Sequence, residues 1–371
     1  MKRETIELHC SSPGTLQSLQ FLRFGTTGAR PKVYVQAALH ADEVPAILVA
    51  QQLAKLLEQL ETQGAITGEI VLVPCANPIG LAQISLGIQQ GRFDQRDGIN
   101  FNRGFTDFAE LIVDPLRPLL TNALKANTDL IRGALLTVAA SLEASSPAQD
   151  LKNNLLRLAI DADIVLDLHC DGEAVMHVYA LTPQKEAAEI LGAAMGARAV
   201  LLATDSGDSP FDEACTRPWL QLQQLLPEFP IELACFGATV ELRGESDTDH
   251  TLSLQDAHGL VTFLAQRGVL TKSTSVLPQP LCSPTLLSCS EPITAPCSGV
   301  VVFHCKPGNV VEAGDLIADL VDASTGSVTP VRCKSSGLVY ACCGSRWAYS
   351  GKRLSKIAGN TLERTGKLLS P

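Results

Sequence analysis

The chain has 371 residues, a formal charge of −10 and 46% hydrophobic residues, enough for a large core and, from length alone, a prior of two domains. The acidic balance and the lack of any basic stripe exclude nucleic acid as the expected partner. No run of about 18 apolar residues occurs and MKRETIELHC has no signal-type apolar stretch, so neither membrane contact nor secretion is expected and the cytoplasm is the expected compartment.

In chain order, KVYVQAALH (32–40) reads as a strand that ends on His40. PAILVAQQLAKLLEQLE follows as a helix with Pro45 near its start, the helix position where a missing N–H costs least. EIVLVPCANP is a second strand closed by a turn. The stretch from Phe108 to Ala144, the polar break SSPAQD and LKNNLLRLAI read as helical cover for a sheet, with a lid or an oligomer face as the alternative use. DADIVLDLH is a third strand with His169 at its carboxyl end, and residues 205–218, DSGDSPFDEACTRP, read as a mobile surface loop bordering the active site. Strands alternating with helices predict an α/β fold, a mostly parallel or mixed sheet covered by helices. Ligands in such sheets gather at the carboxyl ends of strands.

The composition changes at VLPQPLCSPTLLSCSEP, and an internal repeat follows: APCSGVVVFHCKPGNVVEAGDLIADL matches CKSSGLVYACCGSRWAYSGKRLSKI, Gly299 answering Gly337 and Gly314 answering Gly351. This predicts a catalytic domain over 1–275, a linker over 276–290 and an all-β domain over 291–371 that resembles the lipoyl hammerhead. VDASTGSVTP between the halves has no lysine to carry a cofactor, so the module reads as structural or as a rim that narrows the active-site entrance. The twelve cysteines show no CxxC spacing, and only Cys342 and Cys343 are close in sequence. They read as reduced thiols, mostly small buried hydrophobes.

Chemistry concentrates in four short segments. His40 and Glu43 in LHADEVP lie three residues apart, so both can face one point across a turn, and His169 supplies a remote third ligand. Two His and one Glu suit a catalytic zinc with an open position, and a bound zinc brings water to a pKa of about 7. Glu241 in TVELRG is the spare carboxylate for proton transfer, and Asn102 and Arg103 in GINFNRGF offer an amide and a guanidinium to an anionic substrate group.

With these motifs in this order, residues 30–250 resemble the succinylglutamate desuccinylase/aspartoacylase family of zinc carboxypeptidase-like hydrolases. Its His-Gly-Asn-Glu motif gives two zinc ligands, Asp-x-Asn-Arg-x-Phe binds the substrate carboxylate, a later Leu-His gives the third ligand and a Glu near a strand end is the general base. The resemblance implies His40, Glu43 and His169 as ligands of one zinc, Asn102 and Arg103 as carboxylate binders, and Glu241 as base. Ala41, Asp42 and Asn100 depart from the usual Gly, Asn and Asp. The family also implies an arginine that stabilises the oxyanion; Arg92 and Arg96 both qualify by spacing, with Arg96 favoured. The expected function is zinc-dependent hydrolysis of the amide of a small N-acyl amino acid. A metallocarboxypeptidase acting on a peptide C-terminus and a non-catalytic binding protein of the same fold are the alternatives, and a homo-oligomer is compatible with either.

Overall fold

A computed structural model describes residues 1–9, 12–271, 276–360 and 363–369. The expected domain limit at 275 falls outside them. Nine strands form the main sheet in the order Lys2–Glu7, Ser18–Gly25, Glu69–Val73, Lys32–Ala37, Ile164–Asp171, Phe236–Gly244, His177–Leu181, Ala199–Ala203 and Thr285–Leu286. The four strands from Glu69–Val73 to Phe236–Gly244 run parallel. His177–Leu181 is antiparallel to Phe236–Gly244, so the sheet is mixed.

The central strands are apolar at nearly every position because both faces are covered; all five residues of Glu69–Val73 are buried. On one face, helices Pro45–Thr62, Lys185–Met195 and His250–Gln266 pack Leu53, Leu191 and Leu260 against Val35, Leu166 and Val240. On the other, Ala109–Leu116, Leu124–Ser141, Pro147–Ala159 and Phe211–Leu225 bury Ile112, Leu135, Leu155 and Trp219 over Tyr34 and Val165. The helical stretch that follows Arg103 therefore covers the sheet. The structure corrects the reading of 205–218 as a surface loop: Phe211–Leu225 is a helix, and residues 211–216 are all buried. Pro218 sits inside that helix, and its usual effect as a breaker masks the helix in the sequence.

The C-terminal part forms two antiparallel sheets around Val301, Ile317, Leu320, Val339, Leu354 and Ile357. Its repeat is structural. Gly299–Phe303, Val310–Val311 and Leu316–Val321 answer Gly337–Cys342, Trp347–Ala348 and Arg353–Ala358, and each half lends its short middle strand to the other.

This module is fastened to the main sheet beside the His169 strand. Glu173–Ala174 pairs with Gly337–Cys342, Val175 N donates to Tyr340 O at 2.9 Å, and Lys356 forms an ion pair with Asp171. Residues 363–369 return to the main-sheet part, where Leu368 N donates to Ser206 O at 2.9 Å.

Removing one partner of a largely buried ion pair leaves the other charge uncompensated. Lys356→Met should therefore lower the unfolding free energy in urea by about 1–3 kcal/mol, and adding Asp171→Asn should recover part of that loss. Unchanged stability of the single variant would show that this pair does not tie the module down.

Candidate metal centre

Three neighbouring strands deliver the site at their carboxyl ends. After Lys32–Ala37 the chain reverses through Ala38, a buried residue with φ of 58°. A left-handed alanine is strained, and such strain persists where surrounding structure enforces it. The reversal carries His40 and Glu43 onto the end of the sheet, just ahead of the helix that begins at Pro45. His169 projects from the adjacent strand, in register with Glu241 on the next.

His40, Glu43 and His169 are all buried, and one ligand atom from each lies within 4.8 Å of the others. Glu43 bridges the rings, with Oε1 at 2.9 Å from His40 Nδ1 and Oε2 at 2.7 Å from His169 Nδ1. Cys170 N donates to Oε2 at 3.0 Å. The far nitrogens are fixed as well. His40 Nε2 lies 2.8 Å from Asn100 Oδ1, and His169 Nε2 forms a 2.9 Å ion pair with Asp167 Oδ2, whose Oδ1 accepts Gln36 Nε2 at 2.9 Å. Both imidazoles thus present Nδ1 inward and are oriented from behind, the arrangement that histidine metal ligands require. The donor set fits a divalent cation with a free coordination position. Sequence reading missed Asp167, although it stands two residues before His169 on one strand and hence on the same face.

Charge sets the protonation of this cluster. Burial, reinforced by the Arg92 guanidinium, pulls His40 down to about 4. Burial alone would raise Glu43, but His169 and His40 hold it well below the usual carboxylate range. Burial also disfavours the charged form of His169, yet the Asp167 and Glu43 carboxylates win and raise it well above the ordinary histidine value. Glu241 is pushed up to about 8 by burial and by the carboxylates of Asp171 and Glu43. Its Oε2 is buried without a hydrogen-bond partner among the described residues.

The triad opens into a cavity of about 520 Å³ that Arg92, Asn102, Arg103, Asp212, Glu241 and the module residues Tyr349, Lys352 and Lys356 help to line. Arg92 NH1 lies 3.3 Å from Glu43 Oε1 and 3.2 Å from His40 Nδ1. Arg96, favoured from sequence, is exposed and does not line the cavity. Gly91 explains the difference: Ala41 N donates to its carbonyl at 3.1 Å, and a Cβ on it would meet Asp42 N at 2.1 Å. Only glycine lets this loop lie flat on the His40 turn, and the next residue is then aimed at the triad. Asn102 Oδ1 accepts Phe211 N at 2.9 Å, and Nδ2 lies 3.2 Å from His169 Nε2, so much of this amide serves the scaffold. Arg103 borders the cavity with NH1 on Asn102 O at 2.7 Å, and buried Lys152 donates to the Arg103 carbonyl at 2.5 Å.

Residues 29–265 match the succinylglutamate desuccinylase/aspartoacylase catalytic domain. No curated protein matches. Among solved structures, a succinylglutamate desuccinylase/aspartoacylase family protein from Shewanella amazonensis is similar at 29% identity and TM-score 0.84, covering 96% of this chain and 98% of its own. A protein from Shewanella frigidimarina named for the same family is similar at 26% identity and TM-score 0.84, covering 97% of each. The ectoine utilization protein from Ruegeria pomeroyi, in a product-bound structure, shares the fold at 16% identity and TM-score 0.67, covering 96% of this chain and 95% of its own.

A cation at the triad needs the lone pair of His169 Nδ1, which is protonated at neutral pH in the metal-free site because the imidazole value is raised. Binding therefore expels a proton. Metal affinity should rise with pH through neutrality, by up to about tenfold per pH unit, when titrated against a competing chelator. An affinity independent of pH over that range would contradict the protonated His169.

Proposed function

Because the chain belongs to the succinylglutamate desuccinylase/aspartoacylase family, we propose that it is a zinc-dependent deacylase that hydrolyses the amide bond of a small N-acyl amino acid. The observation that carries the reading is the position of Glu241, without a hydrogen-bond partner at Oε2 among the described residues and in register with His169 beside the buried His–Glu–His group. His40, Glu43 and His169 would hold the zinc, which supplies Lewis acidity to water and to the scissile carbonyl.

The remaining roles fall to the chain's own side chains. Arg103, aided by Asn102, holds the substrate carboxylate as a charge-assisted contact. The Arg92 guanidinium faces the cavity next to Glu43 and supplies positive charge where the carbonyl oxygen becomes negative. Glu241 takes a proton from the attacking water and delivers it to the departing amine nitrogen, so that amide and water yield a carboxylate and an amine. Its elevated value suits that exchange near neutral pH, and a cation at the triad, being of opposite charge, shifts it back downward.

The module and the returning tail favour a small substrate over a peptide. Tyr349, Lys352, Lys356 and Leu369 close in on the cavity, leaving a pocket of ligand size instead of an open groove. Among the described residues no helix is long and apolar enough to cross a membrane. A cytoplasmic enzyme meeting small metabolites is consistent with this.

Glu241→Gln should keep zinc content near that of the native chain while lowering turnover of N-acyl amino acids by about 10²–10⁴-fold. Elemental analysis alongside a released-amine assay reads both quantities. An unchanged rate would remove Glu241 from the mechanism.

A further inference from the structure

The face of the main sheet that carries the candidate metal centre changes character from row to row. Residues paired across neighbouring strands share a face, and one row runs through His169, Glu241 and His177. Two residues further in along the His169 strand, the next row runs through Asp167, Thr239, Tyr179 and Leu201. Two residues the other way stands Asp171, where Lys356 of the module makes its ion pair.

The inner row ends in an apolar wall. Ala203 follows Leu201 on the same strand face, Leu287 follows the neighbouring edge strand, and Tyr179, Leu201, Ala203, Leu287 and Leu369 all line the cavity. Tyr179, Leu201 and Leu287 also pack with Tyr340 of the module and Leu368 of the returning tail in one cluster. Leu201 and Leu287 are each 1% exposed, so the wall is formed before any ligand arrives. The charged side chains that helix Phe211–Leu225 adds to the cavity are Asp212 and Glu213, both of a sign that opposes a second carboxylate on the substrate.

This wall adjoins the residue assigned to the substrate's carboxylate. A few residues after Ala203 the chain reaches Asp208 and Ser209, whose carbonyls accept Gly104 N at 2.7 Å and Phe105 N at 3.1 Å. The segment leaving the wall is thereby tied to the segment that carries Arg103. In an N-acyl amino acid the side chain hangs from the carbon that bears the carboxylate, whereas the acyl chain begins on the far side of the amide. With the carboxylate at Arg103, the group that meets the wall is the amino-acid side chain.

Resting on the deacylase reading above, we propose that Tyr179, Leu201, Ala203 and Leu287 form an apolar subsite for the amino-acid side chain, so that the chain selects N-acylated apolar amino acids over acidic ones.

The test titrates N-acetylalanine, N-acetylnorvaline, N-acetylglutamate and N-butanoylalanine into Glu241→Gln protein in zinc-supplemented buffer, with calorimetry reading binding without rapid turnover. Each methylene that enters an apolar site favours binding by about fourfold. N-acetylnorvaline, two methylenes longer than N-acetylalanine in the side chain, should bind about tenfold or more tightly than it, and more tightly than N-acetylglutamate. N-butanoylalanine, which carries the same two methylenes on the acyl group, should gain little. Glutamate binding as well as norvaline, or a gain for the acyl extension in place of the side-chain extension, would overturn the subsite without reference to any variant of the wall. Adding Ala203→Val, a residue suited to a strand, should shrink the space and bring the norvaline-to-alanine affinity ratio toward one; an undiminished ratio would overturn the placement. Turnover by the zinc-supplied native chain separates the two claims. Hydrolysis of all four compounds without preference would retain the deacylase and remove the subsite, whereas side-chain-graded binding with no hydrolysis of any would retain the subsite and remove the deacylase.

Discussion

The site depends on one buried carboxylate that must be met by positive charge. Glu43 is 4% exposed and lies between two imidazoles. A carboxylate in that setting is tolerable only if paired. The compensating charge within the cluster is the proton on His169, held by Glu43 on one side and Asp167 on the other; a divalent cation at the triad would take over that role. His40, drawn down by burial and Arg92, stays neutral and offers its lone pair without competition from a proton. The electrostatics of the cluster and its fitness for a metal are thus one arrangement.

The fold supplies the precision this arrangement needs. Parallel strands place His40, His169 and Glu241 side by side, and the buried pairs Asn100–His40 and Asp167–His169 fix both rings. Asn100, standing where the family commonly has Asp, still presents an oxygen to His40 Nε2, and the same oxygen accepts Asn102 N at 2.8 Å. The His40 ring and the Asn102–Arg103 segment thus share one anchor. The β module then encloses chemistry that the main sheet has assembled, fastened through Lys356 and Asp171 within the cavity wall itself.

How much of this was legible in the sequence follows from which interactions are local. The strand carrying His169 and the helix after Pro45 are written in apolar runs and a proline, and the repeated glycines of the module mark real structural equivalents. The grouping of His40, Glu43 and His169 was legible because HADE and LDLH hold them at fixed local offsets. Arg92 and Arg96 could not be separated, because the choice rests on Gly91 lying against Ala41 and Asp42, a contact that crosses 50 positions of chain. Asp212 was taken for part of a loop because Pro218 disguised its helix. Asp167 was open to detection by its strand period, but was read as one more residue of a buried strand.

The most direct test is the metal content of the purified chain after equilibration with zinc and removal of excess, beside His169→Ala treated in the same way, with hydrolysis of N-acyl amino acids measured on both. The account predicts about one zinc per native chain, as for a catalytic site built from three protein ligands, together with release of free amino acid, and loss of both in the variant. A native chain that takes up no zinc, or a variant that keeps both metal and activity, would contradict it.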